Sequence, residues 1–217
     1  MQPLAISALL VPYTKLNKQG TALPETFLSQ ISAYLDLLIR WNVRTNLTAI
    51  RSPEEIITRH FGESLLAAQQ ISPAGKSTLA DVGSGAGFPG LPIKLWAPQL
   101  HVTLIESHHK KATFLREVIR TLKLTNIEVQ ATRAAQTTQT FDYVTLRAVE
   151  RFDQVLPAAA RLLKPGGRLA LLIGEDQIPT AQTLLPALKW DKPNAIPNST
   201  HRILIVATAP PEIKLVN

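Results

Sequence analysis

The residues best suited to chemistry lie between positions 81 and 90, in the run DVGSGAGFPG. Glycines at 83, 85, 87 and 90 lay backbone bare for a ligand, directly after the apolar run TLADV. Such a loop suits holding a small molecule, because it offers close approach of the backbone and bare N–H donors. Two familiar nucleotide motifs fit poorly. GKST at 75–78 resembles the end of a phosphate-binding loop, but Gln70 stands where that motif needs glycine, and the segment runs into a strand instead of opening a helix. The dinucleotide fingerprint G-x-G-x-x-G is met at Gly83 and Gly85 and broken at Phe88. A carboxylate follows at Glu106, ending the run HVTLIE, where it can accept from both hydroxyls of a ribose. Alone, it does not separate NAD from other ribose-bearing cofactors.

These residues need elements to hold them. From Pro24 to Trp41 the apolar positions Phe27, Leu28, Ile31, Tyr34, Leu35, Leu38 and Ile39 follow helical spacing. RWNVRTNLTAIR, residues 40–51, reads as a loop. Ser52, Pro53 and Glu55 then supply an N-cap, a proline at the first helical position and a capping-box partner for a helix ending near Gln70. From Thr78 the pattern changes. TLADV, HVTLIE, NIEVQ, FDYVTLR and RLALLI read as strands separated by helical stretches such as Lys110–Leu122. HRILIVA, after a Pro- and Asn-rich segment, reads as the arm of a terminal antiparallel hairpin. The expected architecture is α/β, a Rossmann-like doubly wound, mostly parallel seven-stranded sheet, with a helical cap over 1–70 and the ligand-binding domain over 71–217.

Whole-chain properties bound the function. The 217 residues, 45% hydrophobic and 18% charged, suit a globular fold. No apolar run is long enough to span a membrane, and MQPLAISALLVPYTK has neither the basic start nor the cleavage site of a signal peptide, so a cytoplasmic protein is expected. The absence of cysteine excludes disulfides, thiolate metal sites and any cysteine nucleophile. A net charge of +7 favours an anionic partner. His108-His109 have no evident third ligand, so no metal is expected and the pair reads as the opening of the helix after Glu106.

The spacing Gly83-x-Gly85-x-Gly87, on a strand ending in Asp81, is the form used by class I methyltransferases, which hold S-adenosylmethionine. LADVGSGAGFPGLPIKL, then LIESHHKKATFLREV, then LRAV resemble the bacterial small-subunit ribosomal RNA methyltransferase G family, once called glucose-inhibited division protein B. WNVRTNLTAIRSPEEIITRHFGESL is similar to that family's cap signature. The resemblance spans roughly 34–207. It implies methyl transfer from S-adenosylmethionine to N7 of one guanine in the decoding-region loop of 16S rRNA, on free rRNA or the small ribosomal subunit, by an enzyme expected to be monomeric. It implies cofactor contacts at Gly83, Gly85, Gly87, Phe88, Glu106, Ala134, Ala135 and Arg147, with Arg147 orienting base and cofactor.

The residues permit that reaction. Guanine N7 carries an exposed lone pair and needs no proton removed, so binding and orientation are the protein's tasks. Methylation at pyrimidine C5 needs a cysteine nucleophile, which is absent. Exocyclic-amine methylation typically carries an Asn/Asp-Pro-Pro-aromatic turn after strand four, where this chain reads LRAVERF. Trp41 reads as packing for the cap. Arg44, Arg51, His60 and Arg202 are candidates for RNA contacts, with Arg40 beside them, and His60 also reads as a structural residue bonded in the NLT loop, one turn from Glu63. Two departures from the family pattern stand out: Ile173 replaces a lysine near the end of strand five, and HRILIV puts His201 where the last strand's arginine is expected, with Arg202 one later. Two other functions remain open: an NAD(P)-dependent oxidoreductase, and a non-enzymatic rRNA-binding ribosome assembly factor.

Overall fold

Period-two alternation along each strand decides which way the sheet faces. In β1 (Thr78–Val82), Leu79 points to one core and Ala80 and Val82 to the other. The computed structural model describes residues 1–14 and 22–211. Residues 15–21 and 212–217, which fall within the two expected domains, lie outside the described residues. β2 (His101–Ile105), β3 (Ile127–Gln130), β4 (Phe141–Arg147) and β5 (Leu163–Gly174) join β1 in parallel, and β8 (Arg202–Thr208) lies antiparallel to β5. The path runs β3-β2-β1-β4-β5-β8-β6 in a sheet of eight strands. Seven strands were expected. The difference lies in the Pro- and Asn-rich segment, where β6 (Lys189–Trp190) and β7 (Asn194–Ala195) each pair two residues with separate parts of β8. Runs of two residues carry no periodicity and leave no signal in the sequence.

On one face lie α1 (Pro3–Leu10), α2 (Glu25–Thr45), α3 (Pro53–Glu55), α4 (Glu63–Ile71), α5 (Gly90–Trp96) and α6 (His109–Thr121); α7 (Phe152–Ala160) and α8 (Ile178–Leu184) cover the other. The cap does not form a separate core. Ile6, Ile31, Phe61 and Leu65 belong to the same buried cluster as Leu79, Leu104, Leu172 and Leu204 of the sheet. Aromatic contacts tie α2 down along its length. Phe27 meets Trp96 at 6.0 Å, Tyr34 stacks on Phe88 at 5.3 Å, and Trp41 packs on Phe114 of α6 at 5.5 Å.

The loop expected over 40–51 begins later. α2 continues to Thr45, so Arg40 and Arg44 sit on helix, and Asn46 ends it with φ 45°. The reason lies in Asn42, whose amide clamps Thr48 by both backbone groups at 2.9 Å and so fixes the turn from inside the last helical turn. Ser52 caps α3 by accepting from the Glu55 N–H at 3.3 Å and donates its hydroxyl to Glu54, while the Glu55 carboxylate, which a capping box would turn back to the Ser52 N–H, lies near Arg59 at 3.8 Å. Between α3 and α4, Ile56–Gly62 winds as a π-helix. Such widened turns tend to mark functional sites.

Candidate active site

The parallel strands reverse their order between β1 and β4, and the crevice beyond their carboxyl ends is where such sheets bind ligands. The glycine loop fills it. Gly83, Gly85 and Gly87 all have positive φ, at 68°, 57° and 94°. Each glycine is needed for a different reason. A Cβ on Gly85 would meet nothing nearer than the Gly83 carbonyl at 3.8 Å, so the space above it is an open cradle that a side chain would fill. A Cβ on Gly87 would collide with Leu91 and the Tyr34 hydroxyl, because α2 presses directly on the loop there. Tyr34 donates to the Ala86 carbonyl, completing that contact.

Two carboxylates set the loop's shape. Asp81, fully buried, accepts from Gly90 N at 3.1 Å and from the Thr145 hydroxyl at 2.8 Å. Burial raises its pKa to about 6. Glu106 accepts from Gly85 N at 2.9 Å through one oxygen and from His108 N at 2.7 Å through the other. Each oxygen thus has one backbone donor and keeps a lone pair. The residues therefore fit a cofactor with a vicinal ribose diol: open space over Gly85, and beside it a fixed carboxylate with accepting capacity left on both oxygens.

Arg147 ends β4, one step beyond the Val82–Leu146 pair and so beside Gly83. Its guanidinium turns into the cap. Nη2 donates to the Arg59 carbonyl at 2.9 Å and to Glu63 Oε2 at 3.0 Å, and Nη1 meets His60 Nδ1 at 2.9 Å. Glu63 is 1% exposed and takes a second arginine on its other oxygen, Arg202 Nε at 3.0 Å. Because arginine only donates, His60 Nδ1 is the acceptor and its Nε2–H donates to the Thr48 hydroxyl at 2.8 Å. Burial, then the charges of Arg147, Arg59 and Arg202, lower the His60 pKa to about 3, so the ring is neutral.

The expected site residues divide accordingly. Gly83, Gly85, Gly87 and Glu106 come together at the crevice. Phe88, expected among the cofactor contacts, buries its ring between Tyr34 and His60 and joins the loop to the cap instead. Ala134 and Ala135 form a short turn after β3, the first packed against the α7 face and the second exposed. His60 is bonded in the NLT loop, through the Thr48 side chain rather than backbone. Arg51 is exposed but engaged, bonding the Asn42 carbonyl at 3.3 Å and Asn46 Oδ1 at 3.1 Å at the end of α2, while Arg44 is exposed on the last turn of that helix. Arg202, not His201, points at Glu63, so the arginine one position later than expected is the one that reaches the cap. Ile173 is buried opposite Ile203, on the face away from the cap. Sequence reasoning noted Asp81 at the end of its strand but gave it no role, counted Tyr34 only among the apolar positions of its helix, and passed over Asn42. Among the described residues, no three His, Asp or Glu side chains cluster as a metal site, and no helix is long and apolar enough to cross a membrane.

Known proteins resemble this chain in sequence and in fold. The family model for rRNA small subunit methyltransferase G, GidB, matches residues 27–192. The protein named ribosomal RNA small subunit methyltransferase G in Xanthomonas euvesicatoria pv. vesicatoria is 41% identical over 158 residues, covering 72% of this chain and 73% of that one. Its namesake in Xylella fastidiosa is 44% identical over 154 residues, covering 70% and 71%. Among solved structures, a SAM-dependent methyltransferase from Aquifex aeolicus superposes with a TM-score of 0.61 at 15% identity, over 76% of this chain and 97% of that one. A ribosomal protein L11 methylase from Lactobacillus delbrueckii subsp. bulgaricus gives 0.59 at 16%, over 70% and 79%. At those identities the structures establish the class I methyltransferase fold, while the sequence relatives and the match across cap and sheet go further: the chain belongs to the rRNA small subunit methyltransferase G family.

Proposed function

We propose that this chain transfers a methyl group to N7 of one guanine in the decoding-region loop of 16S rRNA, acting in the cytoplasm as a monomer. The observation that carries the reading is the open cradle over Gly85, with Glu106 fixed beside it, in a chain of this family. When bound, S-adenosylmethionine would supply a sulfonium methyl that a neutral nitrogen lone pair can take, the S–CH3 bond breaking as the N–CH3 bond forms and the neutral thioether S-adenosylhomocysteine leaving. Glu106 would hold the ribose diol through the accepting capacity left on its oxygens, and the glycine loop would hold the rest of the cofactor. No side chain need act as a base. The histidine bonded to Arg147, His60, is neutral and has both ring nitrogens engaged, which suits a reaction with no proton to remove. Arg147 gives the wall of the crevice a fixed positive charge, and its three protein partners hold it still, so it orients rather than reacts. In this division of labour residues 1–70 form the RNA-facing cap and 71–217 the methyltransferase domain.

The test is transfer of labelled methyl onto 16S rRNA and onto small subunits from a strain lacking the modification, followed by borohydride–aniline cleavage, which cuts at N7-methylguanine. Cleavage at one guanine supports the reading. Label that resists cleavage means another atom is methylated, and RNA binding without any label supports the assembly-factor alternative.

A further inference from the structure

Two guanidiniums, those of Arg147 and Arg202, pair with the buried carboxylate of Glu63, and a third, that of Arg59, lies within electrostatic reach of Arg147. All three also lower the pKa of His60, so the ring beside them adds no charge and the cluster keeps an excess of positive charge. Arg147 and Arg202 are spent on Glu63. Arg59 is not. Its ion pair is with the half-exposed Glu55 at 3.8 Å, the weakest geometry of the set. Among the described residues its Nε is buried and has no hydrogen-bond partner, an arrangement that costs free energy and is relieved when the side chain turns outward onto an acceptor. The residue sits in the π-wound turn, its own carbonyl held by Arg147 at 2.9 Å, so its backbone is fixed while its side chain is not.

We infer that Arg59 is a phosphate contact for the substrate RNA, receiving one phosphodiester next to the methylated nucleotide, with Arg202 as the neighbouring positive charge. The fork of Nε and one Nη matches two phosphate oxygens, and the ligand satisfies the orphaned donor. An isolated surface lysine would give charge without this geometry. The inference rests on the reading of the chain as an RNA methyltransferase.

The experiment measures methyl transfer to 16S rRNA or small subunits against salt for wild type, Arg59→Ala and Arg59→Lys, with binding of S-adenosylhomocysteine followed separately by calorimetry. Loss of one phosphate contact should flatten the slope of log(kcat/KM) against log salt by about 0.7, raise KM at least several-fold and change kcat little. Arg59→Lys should restore the slope but only part of the KM, because it lacks the fork. Equal slopes in wild type and Arg59→Ala overturn the inference. So does a loss of cofactor-product affinity with the RNA terms unchanged, which would assign the anion to the cofactor's carboxylate. A wild-type enzyme that labels no RNA instead overturns the functional reading on which the inference rests.

Discussion

The guanidinium of Arg147 donates to Glu63 at 3.0 Å, joining residues 84 positions apart and fastening the cap helix to the end of β4. Glu63 is the only acidic side chain that the described hydrogen bonds and ion pairs place between Arg147 and Arg202. Replacing it by glutamine leaves two cations facing a neutral amide in a dry site. Glu63→Gln should therefore lower stability by about 3–5 kcal/mol, against about 1 kcal/mol for the partly exposed Arg202→Gln. Urea melts measure both. A Glu63→Gln protein that melts with wild type would remove the carboxylate from the centre of this account.

The glycines at 85 and 87 should fail in different ways. Gly85→Val fills the cradle and should abolish detectable S-adenosylmethionine binding by calorimetry, with a stability loss of about 1–2 kcal/mol from the strained φ. Gly87→Ala collides with Tyr34 and Leu91 and should lower the melting temperature first, with cofactor affinity following. Matching losses of affinity and stability in both variants would mean that the cradle over Gly85 holds nothing.

The buried ring of His60 makes a pH signature. Its pKa falls from 6.5 to about 3 on folding, so the native state favours the neutral ring. Its stabilisation is complete above pH 6.5 and is lost as pH falls toward 3, on the order of 3–5 kcal/mol across that window. Asp81, raised to about 6, opposes this by favouring the folded state at low pH. The comparison must therefore be with His60→Asn, whose stability should fall less steeply than wild type between pH 6.5 and 4. Parallel curves from chemical denaturation would contradict the buried neutral ring.

Arg44 and Arg51 look alike in the sequence and should behave differently. Arg44 is exposed on helix, so Arg44→Ala should weaken RNA binding and its salt dependence while leaving stability within about 0.5 kcal/mol. Arg51 closes the end of α2, so Arg51→Ala should cost about 1 kcal/mol before any effect on RNA. Thermal melts beside binding titrations separate the two, and identical behaviour would refute the division.

Strands and the cofactor loop were legible because they announce themselves locally. TLADV and FDYVTLR are β1 and β4 to the residue, and Glu106 falls just past β2 as its position implied. The cap's site was far less legible. His60 and Glu63 could be seen one turn apart, but their partners Arg147 and Arg202 arrive from strands that no local pattern connects to that helix. Phe88 shows the same limit: in the sequence it belongs to the loop, and only packing against Tyr34 shows that its ring also ties the loop to the cap. The π-wound turn left no trace either, since its residues Ile56, Ile57 and Phe61 also satisfy an ordinary helix.

The shared core of cap and sheet has a mechanical consequence. A lid that swings needs an interface that can part, and here Phe27, Tyr34, Phe61 and Trp41 are sewn into the same apolar cluster that packs the strands. The cleft should then hold one shape through turnover. Any bending needed to seat the target nucleotide should then fall on the rRNA, so the pace of the reaction should follow how freely the RNA around it can deform, and a ribosomal particle that stiffens it would close the window for modification without touching the enzyme.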